Sequence, residues 1–203
     1  MQYPRYHGGI GPIVTLTRDT TTIDIVESNT VCATLPIPFF WTTTAMSFVT
    51  GTGIVTLFPH LLEEHRGLLN PERKADFALD PSLGEAQNEQ DQLEMLLTKY
   101  RSRGFDIRDS YLDWARETDP TASCDARDAP ACPLTFRWVG DWHTLMRAFG
   151  SVDVRLKRQV MEGILSETTT IWRRGGEPCG KPCTALRRFI PAEVWCQGRD
   201  LVA

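Results

Sequence analysis

FFWTTTAMSFVTGTGIVTLF, residues 39–58, carries no charged side chain and lies between Pro38 and Pro59. Twenty residues of α-helix rise about 30 Å, the thickness of a bilayer's hydrocarbon core. The uncharged interval is longer still, from Ser28 to Leu62, interrupted only by the titratable His60. Phe39, Phe40 and Trp41 stand at one end and Phe58 at the other, where interfacial aromatics collect. Pro38 suits a first helical turn, and Pro59 falls where its ring no longer obstructs one. The stretch therefore reads as a single transmembrane helix over residues 37–59.

Two other readings compete for the same residues. Threonine and β-branched side chains favour strands, so IVTLF (54–58) can follow a Thr-Gly-Thr-Gly turn as part of an antiparallel meander through residues 12–58. A buried core helix is the other. Residues 39–50 lack the period-two alternation of a half-buried strand. Thr43, Ser47 and Gly51 recur every four residues, giving a helix a small-residue packing face of the kind that lets membrane helices approach closely. Threonine hydroxyls that bond back to carbonyls one turn earlier make the six threonines of the stretch tolerable in lipid.

The chain has 203 residues and a net charge of −4, which leaves no basic footprint for nucleic acid. Arginine outnumbers lysine and there are six tryptophans, residue types enriched at buried protein contacts. Biased genome composition explains the arginine equally well. The opening MQYPRYHGGIGP lacks the basic and apolar regions of a signal peptide and the Arg/Ser-rich character of a transit peptide.

Cys124, Cys132, Cys179, Cys183 and Cys196 all lie on the C-terminal side of the expected span, and only Cys32 stands apart. That clustering points to an oxidising compartment and to disulfides, with Cys124–Cys132 and two of the last three cysteines as the natural bridges. Arg66, Arg73 and Lys74 after the span argue, weakly, for the opposite orientation. Cys179, Cys183 and Cys196 with His143 or Cys32 are a zinc alternative, but only one pair has the spacing that structural zinc sites use twice. A reactive thiol beside Lys181 is a further alternative to a structural staple.

Around the span, IVTLT (13–17) and TTIDIVE (21–27) read as a hairpin turning at Arg18-Asp19-Thr20. An isolated hairpin is marginal in water, so this one is expected to lean on another subunit or on the helical part. Beyond it, HLLEEHRGLL (60–69) is amphipathic, and Asn70-Pro71 opens a short helix through Leu79. Ser82-Leu83-Gly84-Glu85 is a capping box for a helix carrying Leu93, Leu96, Leu97 and Tyr100 and stopping at Gly104. Further helices are expected from Asp106 to Asp119, from Asp141 to Gly150 and from Asp153 to Gly175.

The fold expected is mainly α: an N-terminal extension with a β-hairpin (1–36), the span (37–59), and a cysteine-stapled α-helical domain (60–203). His60 and His65 are five apart and cannot form an i, i+4 metal pair. GTGIVT (51–56) is not a nucleotide loop, and Asp106, Asp109 and Asp113 match no calcium loop. His143, between large apolar residues, reads as a core or interface histidine. No catalytic, cofactor or metal residues are assigned.

The expectation is a non-catalytic accessory subunit of a membrane complex, with lipid and neighbouring subunits as partners. A mitochondrial inner-membrane respiratory or ATP-synthase assembly, the C-terminal domain in the intermembrane space, suits the cysteines. The alternatives are a virion or other self-assembling structural protein with an N-terminal β-module, and a soluble enzyme using a cysteine or His143.

Overall fold

Isoleucine, valine and threonine dominate residues 13–27, and their β-branched side chains favour the extended backbone they adopt. The computed structural model describes residues 10–30, 32–51, 53–71, 86–122, 130–150, 168–176 and 193–198. In it β1 (Ile10–Arg18) and β2 (Thr21–Ser28) pair antiparallel, Val14 opposite Ile25 and Leu16 opposite Ile23. Asp19 turns the chain with φ of 52°, a left-handed conformation that aspartate tolerates and short hairpin loops require. The register shifts between Ile10 and Ile13, where Pro12 has no N–H to give the ladder. The predicted hairpin is present.

Residues 39–58 are not a helix. They begin in two 3-10 turns (Ile37–Phe39 and Thr43–Ala45) and continue as β3 (Ser47–Val49) and β4 (Gly53–Thr56). The threonines decide this, because their hydroxyls bond outside any helical ladder. Thr42 accepts from Thr44 N at the mouth of the second turn, and Thr43 Oγ1 accepts from Leu68 N at 3.0 Å. Thr50 and Gly53 close the β3–β4 turn: Thr50 N donates to Gly53 O at 2.8 Å and Gly53 N to Thr50 Oγ1 at 3.0 Å. The missing alternation over 39–50 thus reflects tight turns rather than a helix. Thr43, Ser47 and Gly51 share no helical face: they fall in a 3-10 turn, at the start of β3 and in the β3–β4 turn. No helix among the described residues is long and apolar enough to cross a membrane.

The mainly α fold is corrected with the span. Among the described residues the architecture is mixed α/β with several small sheets and three helices, and strand outweighs helix, 37% against 24%. Nor do residues 12–58 form one meander, since β1–β2 is a sheet by itself and β3–β4 continues into β8 (Leu145–Ala148). Helix α1 (Pro59–Glu63) ends where His65 takes φ of 53° and releases the chain into β5 (Arg66–Leu68). That strand pairs parallel with β6 (Asp106–Arg108), and the crossover a parallel pair requires includes α2 (Ala86–Arg101). As the apolar spacing predicts, Leu93, Leu97 and Tyr100 of α2 pack with Leu69, Ile107, Trp41 and Phe105, and Gly104 ends the turn after the helix with φ of 87°.

Of the other expected helices, residues 72–79 and 153–167 lie outside the described residues, and the described parts of 106–150 and 168–175 depart from expectation. Asp106 opens no helix but lies in β6, and only Leu112–Thr118 is helical (α3). Asp141 caps a turn instead of a helix, receiving His143 N at 3.0 Å, after which the chain enters β8. Residues Thr168–Arg173 are strand β9, between β7 (Phe136–Trp138) and β10 (Glu193–Gly198). The Asn70 amide donates to the carbonyls of Pro38 at 3.2 Å and Phe40 at 3.3 Å, Pro71 is helical, and the rest of the helix expected through Leu79 lies outside the described residues. The Ser82–Glu85 capping box lies outside the described residues.

The main core gathers Met46, Val55, Leu57, Phe58, Leu61, Leu68, Trp114, Ala131, Val139, Met146 and Trp172. Arg137 lies within it, 2% exposed, its guanidinium 4.9 Å from the Phe58 ring centre and 5.5 Å from that of Trp172. It pairs with the carboxylate of Asp141 and donates to Leu57 O at 2.8 Å. Arg174 likewise donates to the carbonyls of Leu69, Asp109 and Ala131, each at 3.3 Å.

Two stability predictions follow from this packing. A Cβ at Gly53 would meet Arg147 O at 2.4 Å, whereas one at Gly51 meets nothing within 4 Å. Gly53→Ala should cost about 1–3 kcal/mol through the overpacked β4–β8 contact, and Gly51→Ala within about 0.5 kcal/mol of nothing, in urea denaturation. Asp141→Ala strands a buried guanidinium and should cost about 3–5 kcal/mol, against about 0–1 for Glu64→Ala, which removes only the exposed pair with Arg66.

Candidate interaction surface

Alternation along the two strands divides the hairpin into unlike faces. One carries Thr15, Thr17, Thr22 and Asp24, with Thr15 Oγ1 donating to Asp24 Oδ1 at 2.6 Å. On that same side, nearer the base, Ile13 and Val26 are paired and half-buried. The opposite face carries Val14, Leu16, Ile23 and Ile25, which are 54%, 53%, 61% and 54% exposed. These four stand directly across from one another in two rungs, so they form one continuous apolar patch. Arg18 and Glu27 continue the same face at its tip and its base. Neither β1 nor β2 pairs with another strand among the described residues.

The base of the hairpin is tied down. Asn29 Nδ2 donates to Ile10 O at 3.1 Å, and Ser28 Oγ donates to Cys32 O at 2.8 Å. The Cys32 thiol is buried against Thr170 Oγ1 at 3.0 Å, and Thr34 Oγ1 lies 2.9 Å from the same hydroxyl. The arm is anchored to β9 at one end while its apolar face stays open to water.

A second apolar area lies on the outer side of β7, where Phe136 and Trp138 are 51% and 38% exposed, with Trp142 in the following turn at 83%. Arg173 covers part of the Phe136 ring at 4.9 Å, and Trp142 stacks on His143 with ring centres 3.5 Å apart.

The residues singled out from the sequence fall elsewhere. Cys132 is buried beside Leu112, Ala115 and Leu134. Cys196 lies in β10 opposite Thr170. Cys124, Cys179 and Cys183, and with them every proposed bridge, lie outside the described residues, as does Lys181. Asp106, Asp109 and Asp113 form no helical acidic face. Asp106 takes Arg108 and the Trp114 indole, Nε1 to Oδ2 at 2.7 Å, and Asp113 Oδ2 accepts from Ser110 N at 2.9 Å. The hydrogen bond from Arg108 holds the Asp106 carboxyl below its usual range, with the Trp114 indole acting in the same direction. The open hairpin face was readable only in part. Val-Thr-Leu at 14–16 and Ile-Asp-Ile at 23–25 carry the alternation, but only tertiary structure shows which side remains uncovered.

His60 is in α1, half-buried, with burial first and the Arg137 charge second pushing its imidazole below the ordinary value of 6.5. His143 acts in the same direction and Glu64 and Glu63 oppose it. Above pH 6.5 the ring is neutral folded or unfolded; below it, the unfolded chain takes up a proton that the folded chain resists. Stability should therefore fall as pH drops below 6.5, and His60→Gln should flatten that slope in urea titrations at stepped pH.

Comparison with family models, with curated proteins and with solved structures returns no match for this chain, so its own surface carries the functional reading.

Proposed function

We propose that this chain is a non-catalytic structural component of a larger protein assembly, docking through the open face of the β1–β2 hairpin. The supporting observation is the apolar patch of Val14, Leu16, Ile23 and Ile25, each more than half exposed on an arm with unpaired edges among the described residues. Two-stranded hairpins are marginal in water and gain stability when an apolar face is covered. Fully burying an aliphatic side chain is worth about 1.5–3 kcal/mol, so a partner that covers four half-exposed ones gains a substantial part of a binding energy. The aromatic area of Phe136, Trp138 and Trp142 offers a second contact of the composition that interfaces favour.

The accessory role survives without the membrane span. With that helix replaced by turns and strands, nothing in the fold favours the mitochondrial inner membrane over another compartment, and the proposal names none.

Size-exclusion chromatography of a cleared lysate from the cells that make the protein tests this reading. The native chain should elute well above its own 22.9 kDa, and Leu16→Asp with Ile23→Asp should shift it toward monomer while leaving its circular dichroism unchanged. Native protein eluting as a monomer sinks the assembly role.

A further inference from the structure

The hairpin face is self-complementary. Side chains alternate, so Val14, Leu16 and Arg18 of β1 share a side with Thr21, Ile23, Ile25 and Glu27 of β2. The apolar rungs Leu16–Ile23 and Val14–Ile25 occupy the middle, with the Arg18–Thr21 rung at the tip and Glu27 beside the register shift at the base. Three two-residue steps separate the two charges, about 20 Å along the strands. They are too far apart to pair within one copy, and neither has an ion-pair partner among the described residues.

We infer that the occupant of this face is a second copy of the chain, the two hairpins stacked face to face about a two-fold axis between the apolar rungs. A two-fold axis there exchanges tip and base. It lays the aliphatic rungs of one copy on those of the other and sets Arg18 of each opposite Glu27 of its mate. Stacked sheets lie about 10 Å apart, a gap that long arginine and glutamate side chains bridge. The other acid of β2, Asp24, projects from the reverse face and is hydrogen-bonded to Thr15, so it brings no like charge into the contact. Asp19, at the turn, falls past the mate's last apolar rung, toward Ser28 and Asn29. A lipid surface fits less well, because it would have to take up a carboxylate at one end of the patch and a guanidinium at the other. The inference rests on the assembly reading and names its partner.

The test is sedimentation equilibrium of the purified full chain from about 1 to 200 μM, a range set by an interface smaller than the standard size class. The expected result is a reversible monomer–dimer equilibrium with a micromolar constant. Arg18→Glu and Glu27→Arg should each weaken it by at least about tenfold, since each reversal sets like charges together twice in the dimer. The two substitutions combined should restore association to within about threefold of the natural chain. Thermal melts of the variants, matching the natural chain at monomeric concentration, tie the effect to the interface. A monomer throughout the range overturns the inference, whether the face then takes up phosphatidylcholine vesicles or a different protein. So does a dimer indifferent to both charge reversals, or one that the double reversal fails to restore. A chain that is monomeric when pure but part of a large particle in its cells loses the second copy and keeps the assembly role. One that is monomeric in both loses both.

Discussion

Arg137 holds together short elements drawn from distant parts of the chain. Its guanidinium lies between the rings of Phe58 and Trp172, is neutralised by Asp141, and donates to the Leu57 carbonyl where β4 runs out. Short strands joined by tight turns leave many buried carbonyls without a ladder partner, and each unsatisfied one would be costly. One planar side chain with five donors can satisfy several at once, which an ammonium of the same charge does less well. Arg174 repeats the device with the carbonyls of Leu69, Asp109 and Ala131. Some of the arginine bias that suggested contact with other proteins thus serves the protein's own interior, and Trp114, flanked by Arg66 and Arg108, belongs to the same pattern.

Those arginines also show why the uncharged stretch is misleading when read alone. An absence of charge over twenty residues reports burial, and burial in protein looks the same as burial in lipid until hydrogen-bond partners are known. Thr42, Thr43 and Thr50 are the deciding residues, since each hydroxyl accepts from a backbone amide outside any i→i−4 ladder. The amide that Thr43 accepts from and the carbonyl that Asn70 donates to belong to segments 25 and 32 residues distant, which local pattern cannot reveal.

What was legible locally came through. The β-branched runs flanking Asp19 pair as read, and the leucine spacing before Gly104 marks a helix that packs on that face. The failures share a cause. Asp106 and Asp141 resemble helix caps, yet Arg108 and Trp114 claim the first and Arg137 the second. Ile171 and Trp172 fit a helical period but pair across β9 with β7 and β10. In each case a tertiary partner outweighs a preference worth a fraction of a kcal/mol per residue. The hairpin face sits between these extremes: its alternation is written in the residues, while its lack of cover is a property of everything else in the fold.

The long reach of the contacts also bears on how the chain is made. Thr34 meets Thr170 and Leu57 meets Arg137, separations of 136 and 80 residues. At about 5–20 residues per second, a ribosome takes several seconds to tens of seconds to cover such intervals. During that time the hairpin has all its strand partners, while β4 has only β3 and the segment around Phe58 still lacks β8 and Arg137. Both strands of the outward arm are therefore synthesised long before the β9 residue Thr170 that anchors their base, an order that exposes the arm to other molecules while translation is still under way.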